Sequence, residues 1–172
     1  MSQPIFPLAV LDFEASSLDP SSYPIEVGVA VARTADAQIE TWSTLIRPHP
    51  SWREGGDWGP QAQAVHGITP AMLAEGMDPE AVLTRLNQLL ETLGHAWVDG
   101  GRYDLHWFQR LCEAAPAVRP AFHLRDLSGL FVLDRRAHNR FADALAAAGE
   151  PPHRAGPDAA RVCAALVASF CE

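Results

Sequence analysis

Asp12 and Glu14 stand two residues apart just after a short apolar run, Leu8 to Leu11, that reads as a buried strand. On a strand this spacing sends both side chains out of one face, where two carboxylates can converge on one cation. Carboxylate oxygens suit a hard metal such as magnesium or manganese, and two such ions about 4 Å apart can activate a water and stabilise a leaving oxygen. Taken alone, a D-x-E triplet is more often a pair of solvated strand-end acids. Near the other end, His153-Arg154-Ala155-Gly156-Pro157-Asp158 puts a histidine on a loop five residues before an acid at a helix start. Neutral imidazole accepts a proton from water near neutral pH, and an acid in the first helical turn is stabilised by the helix dipole. One reads as a base and the other as a ligand, although a surface histidine beside a helix-start acid is the commoner origin of such a pair.

The elements that must carry these residues follow from periodicity. Ile25 to Ala32 and Gln38 to Ile46 read as two further strands of a meander, with Asp36 near the turn. Arg47 to Pro70 is a long excursion rich in Gly, Pro and Trp, with room for short helical turns. Asp78 as N-cap and Pro79 in the first turn open a helix whose Val82, Leu83, Leu86, Leu89, Leu90 and Leu93 run at helical spacing to Gly94. A short strand follows at Ala96 to Val98, a helix at about Leu105 to Ala115, and a strand near Phe122 to Leu124. The remainder is helical, from His138 to Ala148 and from Pro157 to Phe170. Three meandering strands followed by alternating helices and strands predict an α/β layered fold with a mixed sheet.

A length of 172 residues with 48% hydrophobic content fits one compact domain spanning 1–172. No stretch approaches the apolar length of a membrane span, and the N-terminus lacks the basic-then-apolar order of a signal peptide, so the expectation is a cytoplasmic protein without a membrane partner. Cys112, Cys163 and Cys171 share no pairing motif and are expected to be reduced and structural. The formal charge of −8 counts against tight binding along a long duplex, yet it permits a carboxylate-rich site, because bound cations reverse the local field. All 13 basic residues are arginines, which a compositional bias explains without a phosphate-binding role.

Together these segments resemble the DEDD exonucleases of the histidine subtype. Asp12-Phe13-Glu14-Ala15-Ser16-Ser17-Leu18-Asp19 followed by Ile25-Glu26-Val27-Gly28 is similar to the family's first motif and the strand after it. His66-Gly67-Ile68-Thr69-Pro70 is similar to the H-G-I-T stretch that family members often carry between their first and second motifs. Tyr103-Asp104 is similar to the second motif, and His153-x-Ala155-x-x-Asp158 to the third. The matches follow the family's order from residue 8 to about 165. The resemblance implies a ribonuclease-H-like three-layer fold, with a mixed sheet flanked by helices. It also implies two magnesium or manganese ions and removal of nucleoside 5′-monophosphates from 3′ ends of single-stranded DNA or RNA. It makes Asp12, Glu14, Asp104 and Asp158 the metal ligands and His153 the general base. Phe13, Ala15, Ser16, Ser17, His66, Tyr103 and Arg154 become candidates for substrate contact. The sequence departs from the family at Ala15-Ser16-Ser17, where threonines are usual, and at Gly100, where an asparagine usually precedes the second-motif aspartate by four.

Trp52 and Trp58 in the excursion are expected to pack beneath it more than to stack on bases, and Trp97 and Trp107 to belong to the core. Arg135, Arg136, Arg140 and Arg154 form the densest basic group, readable as a backbone contact or as a solvated helix face. His95, His106, His123 and His138 carry no partner spacing. Two rival functions are a non-catalytic binding module on the same fold and a hydrolase of very short oligonucleotides, which the acidic charge suits. A homodimer is compatible with the sequence.

Overall fold

The computed structural model describes residues 6–132 and 134–170. Five strands form one sheet in the order β3-β2-β1-β4-β5, with β1 Leu8–Ala15, β2 Pro24–Ala32, β3 Glu40–Leu45, β4 His95–Val98 and β5 His123–Asp126. β1, β2 and β3 pair antiparallel as a meander, and β4 and β5 join parallel to β1, which makes the sheet mixed. The helices are α1 Pro50–Gly55, α2 Pro60–His66, α3 Pro79–Leu90, α4 Arg102–Ala114, α5 Arg135–Ala147 and α6 Ala155–Phe170, with 3-10 turns at Met72–Glu75 and Leu127–Phe131.

Strand parity divides the core and aims the acids. Ala9, Leu11, Phe13 and Ala15 of β1 pack with Ile25, Val27, Val29 and Val31 of β2 against Val82, Leu83, Leu86 and Leu90 of α3 and Trp107 and Leu111 of α4. The alternate residues Leu8, Val10, Ala30 and Ala32 pack against Phe141 of α5 and Ala159, Val162, Cys163 and Leu166 of α6. Helices thus cover both faces, and each fully enclosed Leu or Val contributes about 1.5–3 kcal/mol. Asp12 and Glu14 continue the even parity of Leu8 and Val10, so they leave β1 on the face covered by α6.

Several boundaries differ from the periodicity reading for local reasons. β1 runs through the acidic triplet to Ala15 because Asp12 and Glu14 stay paired with Gly28 and Glu26 across the ladder. α4 begins at Arg102, three residues earlier than hydrophobic spacing marks, after Gly101 turns the backbone at φ +55. This puts Asp104 in the first helical turn. α5 begins at Arg135 because the Asp134 side chain caps it, accepting from the Arg136 and Ala137 amides at 3.0 and 2.9 Å. Asp78 precedes α3 but makes no cap bond; its carboxylate meets Arg47 at 3.0 Å instead. The long excursion contains the two short helices α1 and α2, each opened by proline. Trp52 is 2% exposed and stacks on Tyr23, and Trp58 donates to Gln63 at 2.8 Å beneath the loop. Cys112 and Cys163 are free thiols, and Cys171 lies outside the described residues.

Candidate active site

Asp12 and Glu14 project from β1 toward the N-terminus of α6, where Asp158 occupies the first turn. Asp12, Glu14 and Asp158 each offer a carboxylate oxygen, and these atoms lie within 4.8 Å of one another. Such close approach requires α6 to begin almost on the sheet, and Gly28, the partner of Asp12 on β2, permits it: a Cβ there would overlap the backbone of Ala155 and Gly156.

Asp104 completes the acidic group from α4. It is 1% exposed, accepts from the Gly100 amide at 2.8 Å, and also takes the Phe13 amide as a partner. Gly100 suits this turn, because a Cβ on it would press to within 2.6 Å of the Asp104 carboxylate.

Burial and mutual repulsion dominate the electrostatics of the acids. Burial, then Asp104, Glu14 and Asp158 in that order, hold the Asp12 carboxyl well above the usual carboxylate range. Burial also lifts Glu14 to about 7, with Asp158 and Glu26 adding to it and Arg154 opposing. Asp104 is likewise pushed to about 7, chiefly by burial, while its bond from Gly100 pulls the other way. Concentrated acids with oxygen-only donors fit a hard divalent cation, whose charge would offset the mutual repulsion that raises them. The residues present therefore fit the implied metal.

His153 lies on the loop before α6, exposed, with its backbone at φ +53. It is close enough to His66 to help depress that ring's pKa, of which burial is the main cause. His66 is 6% exposed; its Nδ1 accepts from the Ile68 amide at 2.9 Å, leaving Nε2 as the donor of the neutral ring. The Ala15 backbone opposes that lowering of the pKa by favouring the protonated ring.

Beside the acids lies a cavity of about 440 Å³ lined by Glu14, Ala15, Ser17, Leu18, Gln61, Ala62, Val65, His66 and Trp107, with Asp19 and Asp57 also on its lining. Leu18 and Val65 are exposed on it at 66% and 55%. An apolar hollow next to a metal-fitting carboxylate cluster can receive a flat apolar group while a phosphate meets the acids.

The remaining sequence candidates divide. Ala15, Ser17 and His66 line the cavity. Phe13 has odd parity and points into the core, 4% exposed. Ser16 is fully enclosed, its hydroxyl accepting from the Tyr23 amide at 3.1 Å. Tyr103 stacks on Trp107 at 5.7 Å. Arg154 is held by Glu26. Arg140 turns inward to the Ser169 carbonyl at 2.8 Å, away from any backbone-binding role with Arg135 and Arg136.

Sequence reasoning missed the parts played by Glu26, Ser22 and Asp99. Glu26 carried a signal, being an acid inside a strand buried at all nine positions. Ser22 accepts from Trp107 Nε1 at 2.9 Å and ties α4 to the loop after β1, a pairing 85 residues apart that leaves no local trace. Asp99, just beyond β4, adds to the field on Asp12 and Asp104.

This strand order, with helices on both faces and four acids gathered over β1, defines an α/β nuclease domain of the ribonuclease-H-like kind. Residues 9–166 match the exonuclease (RNase T) family model, and the chain belongs to that family. Its motif order agrees with the DEDD superfamily. Among solved structures the chain is similar to E. coli Exonuclease I in complex with a dA16 oligonucleotide, with TM-score 0.66, 16% identity, and coverage of 91% of this chain and 39% of that one. It is also similar to a full-length 3′-exonuclease, with TM-score 0.67, 18% identity and coverage of 93% and 79%. A third is a 3′-exonuclease that recognises the 3′ end of a histone mRNA stem-loop, with TM-score 0.68, 17% identity and coverage of 96% and 64%. At these identities the likeness carries the fold, and this chain spans well under half of Exonuclease I. No curated protein sequence matches it. No helix among the described residues is long and apolar enough to cross a membrane.

Proposed function

We propose that this chain is a divalent-metal-dependent 3′-to-5′ exonuclease of the histidine subtype, acting as a single domain on single-stranded DNA or RNA ends. The observation that carries this reading is the convergence of Asp12, Glu14 and Asp158 within 4.8 Å, with Asp104 in electrostatic contact. Asp12, Glu14, Asp104 and Asp158 would hold two magnesium or manganese ions. When bound, these supply charge neutralisation on the phosphoryl oxygens and acidify a water.

The protein's own groups then position and move protons. The cavity bounded by Leu18, Val65 and Trp107 receives the terminal base and keeps water from its face. His153 takes one proton from the attacking water as its oxygen bonds to phosphorus. The P–O3′ bond breaks, the released 3′ oxygen takes a proton from solvent, and a nucleoside 5′-monophosphate departs. His153 is exposed on the loop before α6, so its imidazole can return the attacking water's proton to solvent.

One observation favours very short oligonucleotides as substrates on the same site. Arg154, the arginine of the third motif, is neutralised by Glu26, and the protein carries a charge of −8, so a long phosphate backbone finds little to hold it. Linear and circularised forms of one oligonucleotide test the reading directly. The linear form should release 5′-monophosphates only with magnesium or manganese present, and the circle should resist. Cutting of the circle would overturn exonuclease action.

A further inference from the structure

Glu26 sits in the most enclosed strand of the sheet, 3% exposed, and lies across the ladder from Glu14. Its carboxylate accepts from Arg154 Nε at 3.0 Å, from Arg154 Nη2 at 2.6 Å, and from the Ala155 amide at 2.9 Å. These are the two residues directly after His153, and the Arg154 amide is itself tied to Asp158 Oδ2 at 3.1 Å. His153 meanwhile holds a backbone conformation that L residues seldom adopt, which persists only where neighbours fix it. Three bonds from one buried carboxylate, at the two positions following that histidine, are such a fixture.

The geometry points to Glu26 as a positioning residue for His153: it clamps the loop that presents the imidazole to the acidic cluster. The bidentate Arg154 fork holds the side chain of one loop residue, and the Ala155 amide holds the backbone of the next. Glu26 touches no substrate, and Arg154 serves the loop and not the nucleic-acid backbone. This inference rests on the nuclease reading above, in which His153 is the base.

Glu26→Gln keeps the size and the acceptor for Ala155 but removes the charge that holds Arg154. The expected result is a kcat lowered by roughly 10–100-fold, with KM changed by no more than about twofold. In the metal-free protein the His153 ring resonance, identified by its loss in His153→Ala, should shift in Glu26→Gln. The double variant Glu26→Gln/Arg154→Met removes both partners and restores folding stability without restoring kcat. A kcat within about twofold of wild type, with an unmoved His153 resonance, overturns the clamp. So does a kcat that recovers along with stability in the double variant. If Glu26→Gln does not fold, Arg154→Lys carries the test, since it keeps the charge and loses the fork, and the same kcat-only loss is expected. A wild-type protein without nuclease activity overturns the reading of function instead, and the His153 resonance still decides the clamp.

Discussion

Gly28 faces Asp12 across the β1–β2 ladder, and the backbone of Ala155 and Gly156 fills the space where a Gly28 side chain would stand. The first and third acidic motifs therefore meet through a glycine that neither contains. Gly28→Ala should push the start of α6 off the sheet, at a cost of about 1–3 kcal/mol as for other overpacked cores. The urea midpoint should fall, and nuclease activity should fall further than stability explains, because Asp158 moves away from Asp12 and Glu14.

Asp158→Asn separates charge from shape. The amide keeps an acceptor for the Arg154 amide, so the loop remains closed. Asp158 also raises the pKa of Asp12 and Glu14, so removing its charge relieves repulsion in the metal-free protein. Calorimetry should show weakened manganese binding and a metal-free Tm equal to or above that of wild type. Turnover should drop by roughly 100-fold or more, as expected when a ligand of the phosphate-neutralising cations is lost.

Stability of the metal-free protein should fall as pH rises. Glu14 and Asp104 titrate at about 7 in the folded protein, against ordinary values of 4.5 and 3.8 when unfolded. Between those values the folded state binds more protons than the unfolded one, so the contribution is complete below pH ~4 and is lost as pH climbs to ~7. Thermal unfolding without metal should give a lower Tm at pH 8 than at pH 5.5. Magnesium should narrow that gap, because it binds the deprotonated, folded form.

Trp107 ties α4 to the loop after β1 through Ser22 and also lines the cavity. Trp107→Phe should cost about 1–2 kcal/mol for the broken hydrogen bond and the Ser22 hydroxyl left buried without it. KM should rise with little change in kcat, a split that steady-state kinetics on short oligonucleotides would read.

Much of this was legible in the sequence because it is local. The parity that puts Asp12 and Glu14 on one face and the leucine spacing of α3 both repeat within a few residues, whereas α6 starts at Ala155, two residues before the proline that marked it. The resemblance supplied the order of the acidic motifs, which composition alone would not. What stayed hidden depends on partners far apart in sequence. Glu26 reads as an oddity in an apolar strand until Arg154, 128 residues later, lands on it. Phe13 and Ser16 sit beside chemical residues in sequence, yet strand parity and enclosure turn them into the core. α4 begins early because Gly101 takes a positive φ, and hydrophobic spacing is blind to that.

In the proposed function the four acids gather cations to remove nucleotides from a 3′ end. Its most direct test is a 5′-labelled single-stranded oligonucleotide, as DNA and as RNA, incubated with the protein and manganese, magnesium or chelator, beside the Asp12→Ala protein. A metal-dependent ladder shortening from the 3′ end is expected, absent with chelator and absent in the variant. A folded, metal-binding wild-type protein that leaves every substrate whole, or a variant that shortens them as fast as wild type, would contradict it.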